Sequence, residues 1–251
     1  MNFIRPNGWD FHCHLDLFSN PIEAFDRCKQ ERLFTLSMTT TPKAWQQNMQ
    51  WAEGNEYVRI GLGLHPELVG DRGHEAKQLI SMLPNVKFVG EVGIDGCPQY
   101  RSSYRQQREV FETIVGECNR LGNKTLSIHS RRTVKDIIEI LASIPKKTNV
   151  HYILHWFSGS KSQVLKAVEL GCYFSINESM HQNDRSLKMI AEIPLDRILT
   201  ETDEPFRTEA PNSRIKQLDR TVSSLSKIYM RNENDMRDAL HQNSLNIIKE
   251  L

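Results

Sequence analysis

Residues 9–18 read WDFHCHLDLF. Two histidines, His12 and His14, stand one residue apart behind an apolar run, and an acid, Asp16, follows. Side chains at i and i+2 of a strand leave the same face. A strand here would aim both imidazoles one way, where they can share one ligand, and would turn Cys13 to the other side. Paired histidines can also simply line a core or a surface, so the rest of the chain has to decide.

Seven further β-rich runs follow the first: RLFTLSMTT (32–40), YVRIGLGLHP (57–66), VKFVGEVGID (86–95), KTLSIHSR (124–131), HYILHWFSG (151–159), GCYFSINES (171–179) and DRILTETDEP (196–205). Their spacing leaves room for a helix between each pair. The intervening segments carry helical periodicity. Val110, Phe111, Ile114, Val115, Cys118 and Leu121 share one face, as do Val134, Ile137, Ile138 and Leu141. Val164, Leu165, Val168 and Leu170 lead into Gly171, a helix stop. Eight strand–helix units predict a closed (β/α)8 barrel of the TIM type, one α/β domain over 1–251, finished by two helices near 215–230 and 234–250. An open doubly wound sheet is the alternative, but its first turn would need a glycine fingerprint that is missing here.

With 251 residues, 39% hydrophobic and 25% charged, the composition is that of a soluble globular protein. A net charge of +1 excludes a global field for polyanions, so recognition of one would be local. The chain shows neither a signal-peptide pattern nor a membrane-spanning apolar stretch. Five scattered cysteines with no CxxC pair point to reduced thiols and a cytoplasmic setting, without membrane association.

Chemistry in such a barrel gathers at the C-terminal ends of the strands. His12 and His14 end the first run, His65 the third, Glu91 and His129 lie near the ends of the fourth and fifth, His155 belongs to the sixth, and Asp203 follows the eighth. A lone HxH is a weak signal, whereas this succession of ends is a strong one. Imidazole and carboxylate are ligands of zinc and related divalent ions. Four histidines (His12, His14, His129, His155) with Glu91 and Asp203 suffice for two ions, with Glu91 the natural bridge. The imidazole-rich set suits zinc or manganese, and magnesium remains a working candidate. No GxSxG elbow offers a serine nucleophile, and Ser158 near His155 lacks a free base if that histidine binds metal.

DFHCHLD, GLHP, GEVGID, IHSR, LHWFSG and TETDEPF occur in the order found in the TatD family of metal-dependent deoxyribonucleases, which this chain resembles over nearly its whole length. The resemblance implies an amidohydrolase-type barrel that cleaves phosphodiesters in DNA. It also implies that His12, His14, Glu91 and Asp203 bind one ion, and Glu91, His129 and His155 the second. The opening DFHCHLDL and short N-terminus further resemble the TatD-type nuclease of Qat anti-phage defence systems, which implies defence-system protein partners. GCPQY (96–100) and SINESM (175–180) depart from the family's usual pattern.

Two ions about 3.5–4 Å apart activate a shared water and clamp the attacking and leaving oxygens of a phosphodiester. Asp203 would orient that water and take its proton, and Glu201 would orient the ligands through hydrogen bonds. His65, Arg131 and Arg207 are the expected phosphate contacts, and Arg132 is expected to face solvent. Phe206 can stack on a base, while packing is the expected fate of Trp156. Two other readings stand beside this one: an amidohydrolase-type enzyme for a small amide, ester or phosphotriester, and an assembly subunit of a defence complex.

Overall fold

The computed structural model describes residues 4–145, 147, 149–206 and 214–248. Strands β1 (Gly8–Cys13), β2 (Leu33–Met38), β3 (Val58–Gly61), β4 (Phe88–Gly93), β5 (Lys124–His129), β6 (Val150–His155), β7 (Tyr173–Ile176) and β8 (Ile198–Thr200) each start within two residues of the start of one of the eight runs and end two to five residues before that run does. The crossovers are α1 (Pro21–Gln30), α2 (Pro42–Trp51), the single turn α3 (Val69–Arg72), α4 (Ala76–Met82), α5 (Tyr104–Leu121), α6 (Val134–Ser143), α7 (Lys161–Glu169) and α8 (Asp184–Ile190). Two further helices, α9 (Arg214–Ile228) and α10 (Glu233–Ile248), follow β8.

All strand pairs are parallel, in the orders β1-β2-β3 and β4-β5-β6-β7-β8. Individual backbone bonds close the ring where β3 and β8 are too short for full ladders. Leu62 N donates to Phe88 O (3.0 Å) and Gly90 N to Leu62 O (2.9 Å), joining β3 to β4. Asp203 N donates to His12 O (2.9 Å) and His14 N to Glu204 O (2.8 Å), joining β8 to β1. The result is a TIM-type (β/α)8 barrel.

Alternation sorts the side chains. Leu126, Ile128, Leu154 and Phe174 are buried with Phe111, Ile114 and Val115 of α5 and Ile137 and Leu141 of α6. The opposite strand faces carry a second apolar cluster, with Phe11, Leu36, Phe88, Ile153 and Leu199. Ile153 and Leu199 precede His155 and Glu201 by two residues, so the same faces continue upward into polar groups. The five cysteines are free and buried, which makes them packing residues. Cys13 lies against Leu15, Phe25 and Cys28, on the side away from the two histidines.

Pairing register shifts in β1 between Asp10 and Cys13, and in β4 between Val89 and Val92. Such bulges re-aim side chains, and these two fall at His12 and Glu91. Gly90 has φ +154, and a Cβ there would come within 2.6 Å of the Met38 sulfur and 3.1 Å of Ser127 Cβ. Only glycine lets β4 pass at that point.

Behind β1, the buried Asp10 carboxylate accepts from Thr202 N (2.9 Å), Thr202 Oγ1 (2.7 Å) and Arg214 Nη2 (2.8 Å). Arg214 Nη2 also donates to Thr35 Oγ1 (2.6 Å). This ion pair ties α9 to β1, β2 and the end of β8. Removing one partner of such a pair leaves an uncompensated buried charge. Arg214→Ala is therefore expected to cost about 3–5 kcal/mol, read as a lowered midpoint in urea unfolding. An unchanged midpoint would show that water already solvates Asp10.

Candidate metal centre

The structure brings His12, His14, His65, Glu91, His129, His155 and Asp203 into one cleft. The strand ends differ slightly from the sequence reading. His14 sits just past β1, and His65 lies four residues beyond the end of β3. All seven still converge, because each occupies a strand end or the loop that leaves it.

Glu91 is the hub. Its Oε1 lies 2.6 Å from His129 Nδ1, 3.0 Å from His155 Nε2 and 3.3 Å from His65 Nε2. Its Oε2 lies 3.1 Å from His14 Nε2 and 3.3 Å from His12 Nε2. Those two nitrogens are 3.2 Å apart, and Asp203 Oδ1 is 3.7 and 3.9 Å from His12 and His14 respectively. One buried carboxylate thus separates two nests of imidazole.

Neighbouring groups fix the rings. His129 Nε2 lies 2.8 Å from Asp95 Oδ2, so the proton shared there leaves the Nδ1 lone pair facing Glu91. Hydrogen bonds from His129 and the Cys97 amide outweigh the burial of Asp95 and bring its carboxyl to about 2. Ser127 Oγ is 2.7 Å from His12 Nδ1, which leaves His12 Nε2 to face the centre, and the His12 ring stacks on His155 at 3.8 Å. His65 differs. Its Nδ1 accepts from the Glu67 amide (3.2 Å), so the neutral ring carries its proton on Nε2 and faces Glu91 as a donor.

Opposed lone pairs at such distances need positive charge between them, a proton or a cation. Three sets of side chains bring ligand atoms within 4.8 Å of one another: His12, His14 and Glu91; His65, Glu91 and His129; and His12, His155 and Glu201. A donor set of imidazole nitrogen and carboxylate oxygen fits zinc-like divalent ions. Without a cation, burial brings His12 down to about 3, so its ring is neutral and ready to ligate. Burial pushes Asp203 up to about 7 against the pull of His155 and His14. Burial also opposes the charge on Glu91, but His65, His155 and His12 hold its carboxyl well below the usual range.

Glu201 has its oxygens filled by other donors. Oε1 accepts from Trp156 N (3.1 Å) and Asn177 Nδ2 (2.8 Å), and Oε2 accepts from the Ser175 hydroxyl. It is placed to orient the β6 end, as its position two residues before Asp203 suggests. Arg131 and Arg132 are exposed, and Arg131 lines the cleft. Arg207 lies outside the described residues. Trp156 departs from expectation: its residue is 37% exposed and lines the cleft, because the chain turns left-handed there, at φ +40, and carries the indole out of the core.

Sequence reasoning passed over Asp95, Ser127, Asn177 and Asp10. Ser127 precedes His129 by two residues on the same face of β5, a signal that periodicity offered. Asp95 and Asn177 stand in loops whose direction no periodicity specifies.

The family model described as TatD related DNase matches residues 9–249. An uncharacterized metal-dependent hydrolase of Buchnera aphidicola is 28% identical over 215 residues, covering 80% of this chain and 79% of that one. Deoxyribonuclease TATDN3 of Homo sapiens is 26% identical over 215 residues, covering 78% and 77%. Among solved structures, the TatD homologue YJJV of Escherichia coli superposes with a TM-score of 0.84 at 23% identity, over 98% of this chain and 99% of that one; this likeness shows the fold. A family match across 9–249, on a barrel that carries this imidazole–carboxylate centre, makes the chain a member of the TatD-related DNase family of metal-dependent hydrolases.

Proposed function

We propose that this chain, acting as a single hydrolase domain, cleaves phosphodiester bonds in DNA with a pair of divalent cations. His12, His14, Asp203 and one oxygen of Glu91 would hold one cation; His129, His155 and the other oxygen would hold the second. The observation that carries this reading is the division of the imidazoles between the two oxygens of Glu91. Zinc or manganese fits the nitrogen-rich donors best, with magnesium as a third candidate. Such cations, when bound, supply the charge that acidifies water and offsets negative charge on the phosphate.

The chain's own groups do the rest. Asp203 orients the attacking water and takes its proton, the part of a general base held within reach of that water. Glu91 holds the two halves of the centre in register. His65, a donor through Nε2, and the guanidinium of Arg131 bind phosphate oxygens; Arg207 is proposed for the same role.

Chelation tests the reading. Chelator-treated protein is expected to lose DNA cleavage and to regain it with zinc or manganese, with about two equivalents bound. Metal-loaded protein that cleaves small amides, esters or phosphotriesters but no DNA would replace the nuclease reading with the amidohydrolase one.

The likeness of residues 10–17 extends the proposal to anti-phage defence in the cytoplasm, with defence-system proteins as partners. Among the described residues no helix is long and apolar enough to cross a membrane. Replacing Glu91 and Asp203 together separates chemistry from assembly. Lost protection with complex formation intact supports chemistry, and unchanged protection makes the chain a scaffold.

A further inference from the structure

The peptide that follows His155 is built to expose an aromatic ring. Trp156 holds φ +40, a conformation that a bulky residue adopts only where its surroundings impose it. Its amide donates to Glu201 Oε1, and Glu201 is itself buried and held by Asn177 and Ser175. A backbone anchored on a buried carboxylate therefore presents an indole to the cleft. Phe206, 64% exposed, lines the same cleft of about 630 Å³ and packs edge-on against His14, with ring centroids 5.1 Å apart.

Trp156 is 37% and Phe206 64% exposed, and the apolar surface they leave in water yields no burial free energy. Their position has a use in binding. Arg131 lines this cleft and Glu91 lies at its floor, so the cavity combines an anion-seeking part with flat apolar faces. A ligand with an anionic group and a flat π surface a short distance apart matches both, and a nucleotide is such a ligand.

We propose that Trp156 and Phe206 form a stacking platform for the base beside the scissile phosphate, so that the cleft takes a nucleotide whose base is unpaired. The proposal rests on the phosphodiester reading above. A base inside a duplex has both faces covered by its neighbours and must leave the stack to meet side-chain rings. Stacking of this kind tolerates every base, because each has a π-face.

Two measurements test it. The first uses metal-loaded protein and compares kcat/KM for thymidine 3′- and 5′-p-nitrophenyl phosphates with that for methyl p-nitrophenyl phosphate, which has no base. Wild type is expected to favour one thymidine ester by at least about fivefold. Trp156→Ala should collapse that preference towards one, and Trp156→Phe should restore part of it. The second uses chelator-treated protein and a single-stranded oligonucleotide containing 2-aminopurine. Its fluorescence should be quenched by wild type and by Trp156→Phe, less by Trp156→Ala, and not when the strand is annealed to its complement.

An undiminished preference and undiminished quenching in Trp156→Ala would overturn the platform. So would a loss that Trp156→Phe does not restore, since that marks a purely structural tryptophan. Equal quenching by the annealed strand would overturn the requirement for an unpaired base. If metal-loaded wild type hydrolyses none of the esters, the phosphodiester reading fails, and the quenching result still decides the platform.

Discussion

Glu91→Gln is expected to lower kcat for DNA cleavage by about 10³-fold and to reduce the bound metal below two equivalents. The carboxylate faces imidazole nitrogens with both oxygens, Oε2 towards His12 and His14 and Oε1 towards His129 and His155. An amide of the same shape fills the space but turns an NH₂ donor on one of those pairs, where a lone pair is needed. One half of the centre therefore loses its cation while the barrel stays folded. Elemental analysis together with circular dichroism separates the two effects. Full activity with two bound equivalents would remove Glu91 from the bridging position.

For Asp203→Asn the expected fall in kcat is about 10²–10⁴-fold, with a change in how metal uptake depends on pH. The buried carboxyl of Asp203 sits at about 7 when no cation faces it. Below that pH it holds a proton that a cation must displace, so wild-type affinity should climb as the pH rises through about 7 and release protons on binding. The asparagine variant has no such proton and should lose that part of the climb. Metal titrations at several pH values, in buffers of different ionisation enthalpy, read both quantities. An Asn variant with the wild-type pH profile would show that another group holds the displaced proton.

The barrel was legible because its signal is repeated. Eight β-rich runs, each followed by helical periodicity, specify alternating elements, and the faces predicted for α5 and α6 are those that pack on Leu126, Ile128 and Leu154. Glu91 and the six residues gathered around it were also legible, because strand ends are countable along the chain and the fold places all those ends at one mouth. Trp156 was not. Period and hydrophobicity put a tryptophan next to a strand end into the core, and only the left-handed turn at that residue, with its amide on Glu201, sends it outward. His65 was found for its position, but its donor character comes from the Glu67 amide on Nδ1, a contact made by the loop's path.

Sequence alone determined that His12, His14, His65, Glu91, His129, His155 and Asp203 reach the barrel mouth, since strand order and strand ends depend on local periodicity. Tertiary structure alone decided how they are arranged there. The bulges at His12 and Glu91, the close passage of β4 at Gly90 and the hydrogen bonds that His129 and His12 make to Asp95 and Ser127 set the directions of the lone pairs on those two rings. Those directions depend on contacts between strands far apart in the chain, and no local pattern encodes them.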